Sequence, residues 1–418
     1  MMQRPDCKTP EPDIESLLAR CVRCGFCNAS CPTYLQSGEE LEGPRGRIQL
    51  ISAMERGDPV SRKTQEHLDR CLTCLSCERH CPSGVQYGAL IDHGRVLSGV
   101  RIKRRPIDAV FRHSLALLVG HSWLIGLAMP LVRPFRSLLP ESLSQYLPLT
   151  LDRSPMPRAH GRVHSQSILL LEGCIQQHVA PGWDDAFETI LDRLGMGLVR
   201  VRDGSCCGAV AHHLGYRDLA LRQWQKRMGS IKKALRMRGS KSISAVVMTS
   251  SGCGLRIREI LKDRHPDEVD HPLCGIPVLD PLEVLESRWE ELRSMMVDAG
   301  AVKTPVRLHE PCTLQNGLGL KGRLADFLRA ISIPIEPSDE GGLCCGSGGT
   351  HPLFQPELAR SLRERKRQAL GMNDKAQEVL SSNIGCILHL SDDEHRVKHW
   401  LTYIAQCLES GNPISPSN

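Results

Sequence analysis

Aromatic residues are scarce in this chain of 418 residues, and their scarcity argues against one class of function. Phe, Trp and Tyr make up only 4% of the residues, although the formal net charge is +6. Nucleic-acid-binding proteins usually combine basic residues with aromatic side chains that stack on bases. The excess charge is also local, because residues 99–163 carry ten Lys and Arg against three acidic residues. We therefore expect no nucleic-acid partner.

A secretory signal is also missing, since the first twenty residues contain no continuous apolar segment. We therefore expect a reducing compartment. In a reducing compartment, 19 cysteines indicate metal ligands rather than disulfides.

A dinucleotide-binding fingerprint is a third absence. No GxGxxG directly follows a predicted strand, and the glycine-rich segment Cys345–Thr350 is better explained as a turn around a cysteine. A cofactor that accepts hydride, such as a flavin or nicotinamide, is therefore not expected on this chain.

Long apolar runs are lacking too. The longest, Leu115–Val132, has eighteen residues and is interrupted by His121, Ser122 and Pro130, whereas a spanning helix needs about twenty. A helix that lies on a membrane surface or on a partner fits the flanking arginines better. An internal helical hairpin that joins two domains is the alternative.

Two four-cysteine runs are the main positive signal. Each has the spacing C-x2-C-x2-C-x3-C followed by proline, as bacterial ferredoxins have for 4Fe–4S clusters, and the fourth cysteine of such a run ligates the other cluster. A zinc knuckle or a redox dithiol is the alternative for a lone CxxC, and two complete runs argue against it. The spacing thus assigns Cys21, Cys24, Cys27 and Cys81 to cluster 1, and Cys71, Cys74, Cys77 and Cys31 to cluster 2.

A helical insert separates the two runs. A helix is expected immediately before Cys71, with Gln65 exposed. Three arginines near the runs, Arg23, Arg45 and Arg47, either offset the negative charge of the clusters or are ordinary surface residues.

An internal repeat occupies the rest of the chain. From about residue 166, strands alternate with helices, and five residue identities recur at one offset of 138 positions. The matching pairs are Cys174 and Cys312, Cys206 and Cys344, Cys207 and Cys345, Glu172 and Glu310, and His213 and His351. Two copies of one α/β module are therefore expected, with cysteines at the strand ends, where open α/β sheets bind ligands.

These repeated cysteines are candidate thiol sites. With one later cysteine in each copy, the sets are Cys174, Cys206, Cys207 and Cys253, and Cys312, Cys344, Cys345 and Cys386. They could hold a further cluster, or they could line a contact with an electron-transfer partner. Cys7, Cys274 and Cys407 fall outside the repeat and are expected to be packing residues.

The expected fold class combines α+β and α/β. A mainly helical two-cluster ferredoxin-type module (1–98) precedes a basic, apolar linker (99–165), and two Cys-Cys-Gly modules follow, module 1 (166–300) and module 2 (301–418).

Finer motifs carry a family resemblance. Cys24-Gly-Phe-Cys27, Glu42-Gly-Pro-Arg-Gly-Arg47, Cys206-Cys-Gly-Ala209 and Asn383-Ile-Gly-Cys386 resemble the iron–sulfur subunits of glycolate oxidases, and the resemblance extends along nearly the whole chain. It implies a complex, cytoplasmic or peripheral on the cytoplasmic face of the inner membrane, in which flavin-binding subunits oxidise glycolate to glyoxylate. FAD is therefore expected on the partner subunits and not on this chain, which carries electrons to a quinone or another acceptor. No catalytic residue is expected on this chain.

One departure bears on the alternatives. The Cys-Cys-Gly modules of the wider family commonly close with CxxC, whereas Ser250 and Asn383 stand at the first of those positions here. Four cysteines per module argue against the five-cysteine clusters of heterodisulfide reductases. An iron–sulfur subunit of a lactate or glycerol-3-phosphate dehydrogenase, and a catalytic reductase of the heterodisulfide type, remain the alternatives.

Overall fold

The computed structural model describes residues 13–138, 164, 166–238, 243–262, 273, 275–300, 302, 304–338, 342–372, 377–392 and 394–410. Cys7 and Cys274 lie outside these residues. Cys407 is buried, as its assignment to packing requires.

Short helices build the ferredoxin-type module around the two cysteine loops. Ile51, Leu68, Leu90 and Ile91 are completely buried in its core. One expectation is wrong, because Gln65 is buried and its amide lies 3.4 Å from the carbonyl oxygen of Ile102. The helices are α1 (Ile14–Ala19), α2 (Pro32–Ser37), α3 (Pro44–Glu55), α4 (Arg62–Asp69), α5 (Ser76–Arg79) and α6 (Tyr87–Arg101), with 3-10 turns at Asn28–Ser30 and Glu40–Glu42.

A helical hairpin follows, formed by α7 (Pro106–Gly120), α8 (Ser122–Val132) and a 3-10 turn at Arg133–Leu138. In the described part of the chain, no single helix is long and apolar enough to cross a membrane; α7 and α8 together pass that test but are bent by 106°. Ala116 and Val119 of α7 are buried, and Gln223 of module 1 donates to the Ala116 carbonyl at 2.9 Å. The inner face of α7 therefore packs inside the protein, as the hairpin alternative predicts.

Two four-stranded parallel sheets form the cores of the Cys-Cys-Gly modules, and both have the same strand order: β2-β1-β3-β4 and β6-β5-β7-β8. The strands are β1 (Ser167–Leu171), β2 (Gly197–Val201), β3 (Ile243–Val247), β4 (Val278–Leu279), β5 (Val306–Leu308), β6 (Ile335–Glu336), β7 (Val379–Ser381) and β8 (Val397–His399). The matching topology confirms the predicted repeat.

Helices cover both faces of these sheets, which explains why all of β1 is buried. Module 1 contains α9 (Gln176–Val179), α10 (Gly182–Arg193), α11 (Ala209–His213), α12 (Arg217–Arg238), α13 (Ser251–Lys262), α14 (Pro281–Glu286) and α15 (Trp289–Asp298). Module 2 contains a π-helical turn at Thr313–Gly317, α16 (Arg323–Ala330), α17 (His351–Phe354), α18 (Pro356–Ala369), α19 (Ile384–Leu390) and α20 (Trp400–Ser410).

The two modules share one hydrophobic core. Alternate residues of a strand face opposite sides, so Ile168 and Leu170 pack in one cluster with Leu308 and Trp400 of module 2. Leu169 instead faces a second cluster inside module 1. This shared core fixes how the strand ends of the two sheets, and therefore their cysteines, are placed.

Candidate metal centres

The two ferredoxin-type loops share an unusual backbone. Arg23 and Gly25 in the first loop have positive φ angles of 58° and 84°, and Thr73 and Leu75 repeat them fifty positions later at 50° and 56°. When residues in the left-handed conformation alternate with right-handed ones, successive backbone N–H groups point to the same side of the loop, and this arrangement binds an anion. The Thr73 N–H lies 3.5 Å from the Cys71 sulfur. Both loops are therefore shaped to face a negatively charged group.

The cysteines of the cluster 1 set line one cavity. Cys21, Cys24 and Cys27 face it together with Cys81 from the second loop, and its empty volume, which opens to solvent, is about 430 Å³. Burial, and then the charge of Cys21, raise the pKa of Cys27 to about 11. Such thiols become thiolates when they bind cations, so this donor set fits an iron–sulfur cluster.

The cluster 2 set lies deeper in the protein. Cys31, Cys71 and Cys77 are buried. Burial, and then the charges of Cys74, Cys71 and Cys31, raise the pKa of Cys77 well above its ordinary value. The charges of these four thiols therefore interact, and together they form a second donor set that fits an iron–sulfur cluster.

Arg47 is the cation beside the cluster 2 set. Its guanidinium is buried and donates to Glu42 Oε2 at 2.9 Å and to Thr33 Oγ1 at 3.1 Å; that hydroxyl lies 3.2 Å from the Cys31 sulfur. Burial opposes the charge of Arg47, but interactions with Tyr87, Cys71, Cys31 and Glu42 raise its pKa overall. Arg47 is thus no ordinary surface residue, whereas Arg45 is half-exposed and pairs with Glu40.

The module 1 cysteines meet at the ends of neighbouring strands. The sulfurs of Cys174 and Cys206 are 3.6 Å apart. Hydrogen bonds with Cys206 and Cys253 lower the pKa of Cys207 well below its ordinary value, and the buried Arg227 adds to this effect. Cys207 is therefore the thiol in this set that most readily becomes a thiolate.

The Cys-Cys-Gly glycines are required by their backbone. Gly208 has a φ of 83°, and a Cβ there would lie 2.7 Å from the Ala220 carbonyl oxygen of α12. Gly346 repeats this with a φ of 89° and 2.9 Å to the Ala359 carbonyl oxygen of α18. Only glycine lets each cysteine pair approach the following helix so closely.

The module 2 cysteines form a similar set. The sulfurs of Cys312 and Cys344 are 4.0 Å apart, and Cys345 has hydrogen bonds with Cys344 and Cys386. His309, which the sequence analysis missed, lies within 4.8 Å of the Cys345 and Cys386 sulfurs, and burial lowers its pKa well below the ordinary value. The available signal was its position three residues before Cys312, where module 1 has Leu171.

The cluster 2 set abuts module 2. Leu72 packs in one apolar group with Cys344, and Cys74 and Cys312 lie against this group. The Asn316 amide donates to the Cys74 carbonyl oxygen at 2.9 Å. Burial, and then Cys312 and Cys31, raise the pKa of Cys74 well above its ordinary value. The second ferredoxin-type loop and the module 2 thiols are therefore direct neighbours.

The two residues that replace cysteine in the CxxC pattern bond to each other. Ser250 Oγ donates to Asn383 Oδ1 at 2.8 Å, and Ser251 Oγ lies 2.7 Å from Thr313 Oγ1 nearby. These positions hold the two modules together, which gives a physical reason for the departure from CxxC.

Comparison with known proteins places these sites in a family. The family model for a 4Fe-4S dicluster domain matches residues 17–85, and that for a cysteine-rich domain matches residues 168–258 and 306–391. The glycolate oxidase iron-sulfur subunit of Escherichia coli (strain K12) is 35% identical over 410 residues, which are 95% of this chain and 96% of that protein. A probable glycolate oxidase iron-sulfur subunit of Bacillus subtilis (strain 168) is 26% identical over 90% of this chain and 89% of that protein. A lactate utilization protein A of Oceanobacillus iheyensis is 27% identical over 48% of this chain and 78% of that protein.

Proposed function

Because the chain belongs to the family of glycolate oxidase iron–sulfur subunits, we propose that it carries electrons from a flavoprotein partner to an acceptor such as a quinone in a glycolate-oxidising complex. The likeness to the glycolate oxidase subunit covers 95% of the chain, whereas the lactate utilization protein covers 48%. This difference favours glycolate as the substrate of the complex.

The eight ferredoxin-type cysteines hold two 4Fe–4S clusters in this proposal. Cys21, Cys24, Cys27 and Cys81 hold cluster 1, and Cys71, Cys74, Cys77 and Cys31 hold cluster 2, each set taking its fourth thiolate from the other loop. When bound, such clusters accept and release single electrons. The protein contributes the thiolates, the inward N–H groups of both loops and the buried guanidinium of Arg47.

The difference in exposure between the two cysteine sets favours one direction for the relay. Cys24 is exposed, and the neighbouring apolar side chains Val22 and Phe26 are 69% and 68% exposed. The cluster 2 set is buried against module 2. The observation that carries the proposal is this pair of cysteine sets, which share their two loops: the cluster 1 set reaches the protein surface, and the cluster 2 set is buried against module 2. Electrons from the flavoprotein enter at the first loop and continue inward.

The hairpin surface supports peripheral membrane association. Ile107, Trp123, Leu127 and Leu131 on α7 and α8 are all exposed, and exposed basic residues precede them at Arg101, Lys103 and Arg105. Apolar side chains beside basic ones suit the interface of an anionic membrane. We propose that this surface rests on the cytoplasmic face of the inner membrane.

Reconstitution tests the relay. The chain with clusters assembled should contain about eight iron and eight sulfide, and Cys74→Ala should lose about half of them. The chain alone should not reduce a dye with glycolate, and the flavoprotein subunits should supply that activity. Lactate and glycerol 3-phosphate, offered to the whole complex, test the alternatives. A wild-type chain that binds zinc in place of both clusters, or that oxidises glycolate without flavin, would contradict the proposal.

A further inference from the structure

His309 is a buried histidine without a hydrogen-bond partner among the described residues. It follows β5 directly, its exposed fraction is 1%, and neither ring nitrogen has a partner among the described residues. A buried polar group normally has a partner, because burying it unpaired is costly. The other three buried histidines of module 2 each have one. His351 lies 3.2 Å from the Arg70 carbonyl oxygen, His389 lies 3.1 Å from that of Ala359, and His399 lies 3.0 Å from that of Thr249.

The imidazole of His309 faces two thiols. One of its ring nitrogens and the sulfurs of Cys345 and Cys386 all lie within 4.8 Å of one another. Ligand atoms around one tetrahedral zinc ion are about 3.5 Å apart, given metal–ligand distances of about 2.0–2.3 Å. The three ligand atoms are therefore at most about 1.3 Å farther apart than this spacing.

The ferredoxin-type cysteines lack this compact arrangement. Among the described residues, none of those eight cysteines belongs to a trio of ligand atoms within 4.8 Å. A cube needs wider spacing, since each thiolate binds a different iron. The module 2 trio has the geometry for one ion and not for a cube.

Module 1 lacks the histidine. Leu171 occupies the place of His309 one repeat earlier, and it packs in an apolar cluster. Each module also holds a buried cation, Arg227 in module 1 and Lys366 in module 2, where the charge of Lys366 adds to burial in lowering the pKa of His309. Among the described residues, the imidazole beside the thiols is therefore what distinguishes module 2.

We propose that His309, Cys345 and Cys386, with a thiol of the Cys312 and Cys344 pair as fourth ligand, bind one divalent metal ion, zinc or ferrous iron. Imidazole and thiolate ligands suit both ions. The thiols release their protons on binding. The ion links the end of β5, the Cys-Cys-Gly turn and α19 (Ile384–Leu390) beside the cluster 2 loop. This site does not depend on the substrate of the complex.

Metal analysis of the whole chain tests this site. Anaerobically reconstituted wild-type protein, supplied with Zn²⁺ or Fe²⁺, should hold about one ion beyond the eight cluster irons, and the element found distinguishes zinc from iron. His309→Leu imports the residue of module 1 and should lose this ion while keeping eight irons. His309→Cys should retain it. Cys407→Ser changes a buried module 2 cysteine outside the set and should match the wild type.

Cobalt gives an independent readout. Co²⁺ added to the cluster-loaded protein should give, in the difference spectrum against the cobalt-free protein, the visible d–d bands of a tetrahedral site in the wild type and in His309→Cys, and these bands should be lost in His309→Leu. Circular dichroism establishes that the variants are folded. Eight irons and no further ion in the wild type, an unchanged extra ion in His309→Leu, or about four extra irons with sulfide would each overturn the single-ion proposal.

Discussion

Gly208 is the residue at which the repeat constrains the backbone most clearly. Gly208→Ala would place a Cβ 2.7 Å from the backbone of α12 at a φ of 83°. Strain of about 1–2 kcal/mol from the left-handed conformation, together with the clash, should lower the melting temperature. A Cβ at Gly229, inside α12, would meet no neighbouring atom within 4 Å, so Gly229→Ala should raise stability by up to about 1 kcal/mol. Equal melting temperatures for the two variants would contradict this account.

Asp184 should make stability depend on pH. Burial raises its pKa from 3.8 to about 7 in the folded protein, while Thr249 Oγ1 donates to its Oδ1 at 2.5 Å. The folded state then holds a proton that the unfolded state loses between about pH 4 and 7, so stability contributed by this group falls as pH rises through that range. Asp184→Asn removes this loss and keeps the acceptor oxygen. Its melting temperature should therefore exceed that of the wild type by more at pH 8 than at pH 5.5, and a difference independent of pH would show that Asp184 is ionised throughout.

The residues that sequence could identify are those with a fixed spacing. The cysteine runs and the 138-residue offset stand in the sequence itself, so the two-cluster module and the repeat were predictable. Gln65 was not, because a polar side chain on a short helix gives no sign that the neighbouring α6 covers it. His309 was missed because its thiol neighbours, Cys345 and Cys386, are distant in the sequence and only the folded sheet brings them close to it.

The hairpin of α7 and α8 carries the test of membrane association. Arg104 pairs with Asp69 at 3.0 Å and must be spared, whereas Arg101, Lys103 and Arg105 are exposed. Changing these three residues to Glu should move the complex from the membrane to the soluble fraction, since each basic charge near an anionic surface contributes about 1 kcal/mol.

A charge-matched control lies on α12. Lys232, Lys233 and Arg236 are exposed there, and changing them to Glu should leave fractionation unchanged. If both triple variants stay on the membrane, the hairpin is only an internal connection; if both leave it, net charge and not this surface holds the complex.

At the scale of the whole molecule, the relay needs an entry surface that is separate from the buried thiols. The first loop offers one, because Val22 and Phe26 expose most of their side chains on either side of Cys24. Changing both to Ser should weaken the flavoprotein complex at least about tenfold, since burial of one such side chain contributes about 1.5–3 kcal/mol. Binding of the flavoprotein subunits by titration, and glycolate-dependent turnover at limiting concentration, measure this loss.

The same variant separates docking from cluster assembly. Iron content and full reduction by dithionite should match the wild type, because neither side chain supplies a ligand. Leu221→Ser, on an exposed apolar residue of α12, should leave binding and turnover unchanged. Unchanged flavoprotein affinity in the Val22 and Phe26 double variant would place electron entry elsewhere, while loss of iron would mean that these residues support the loop and not the partner.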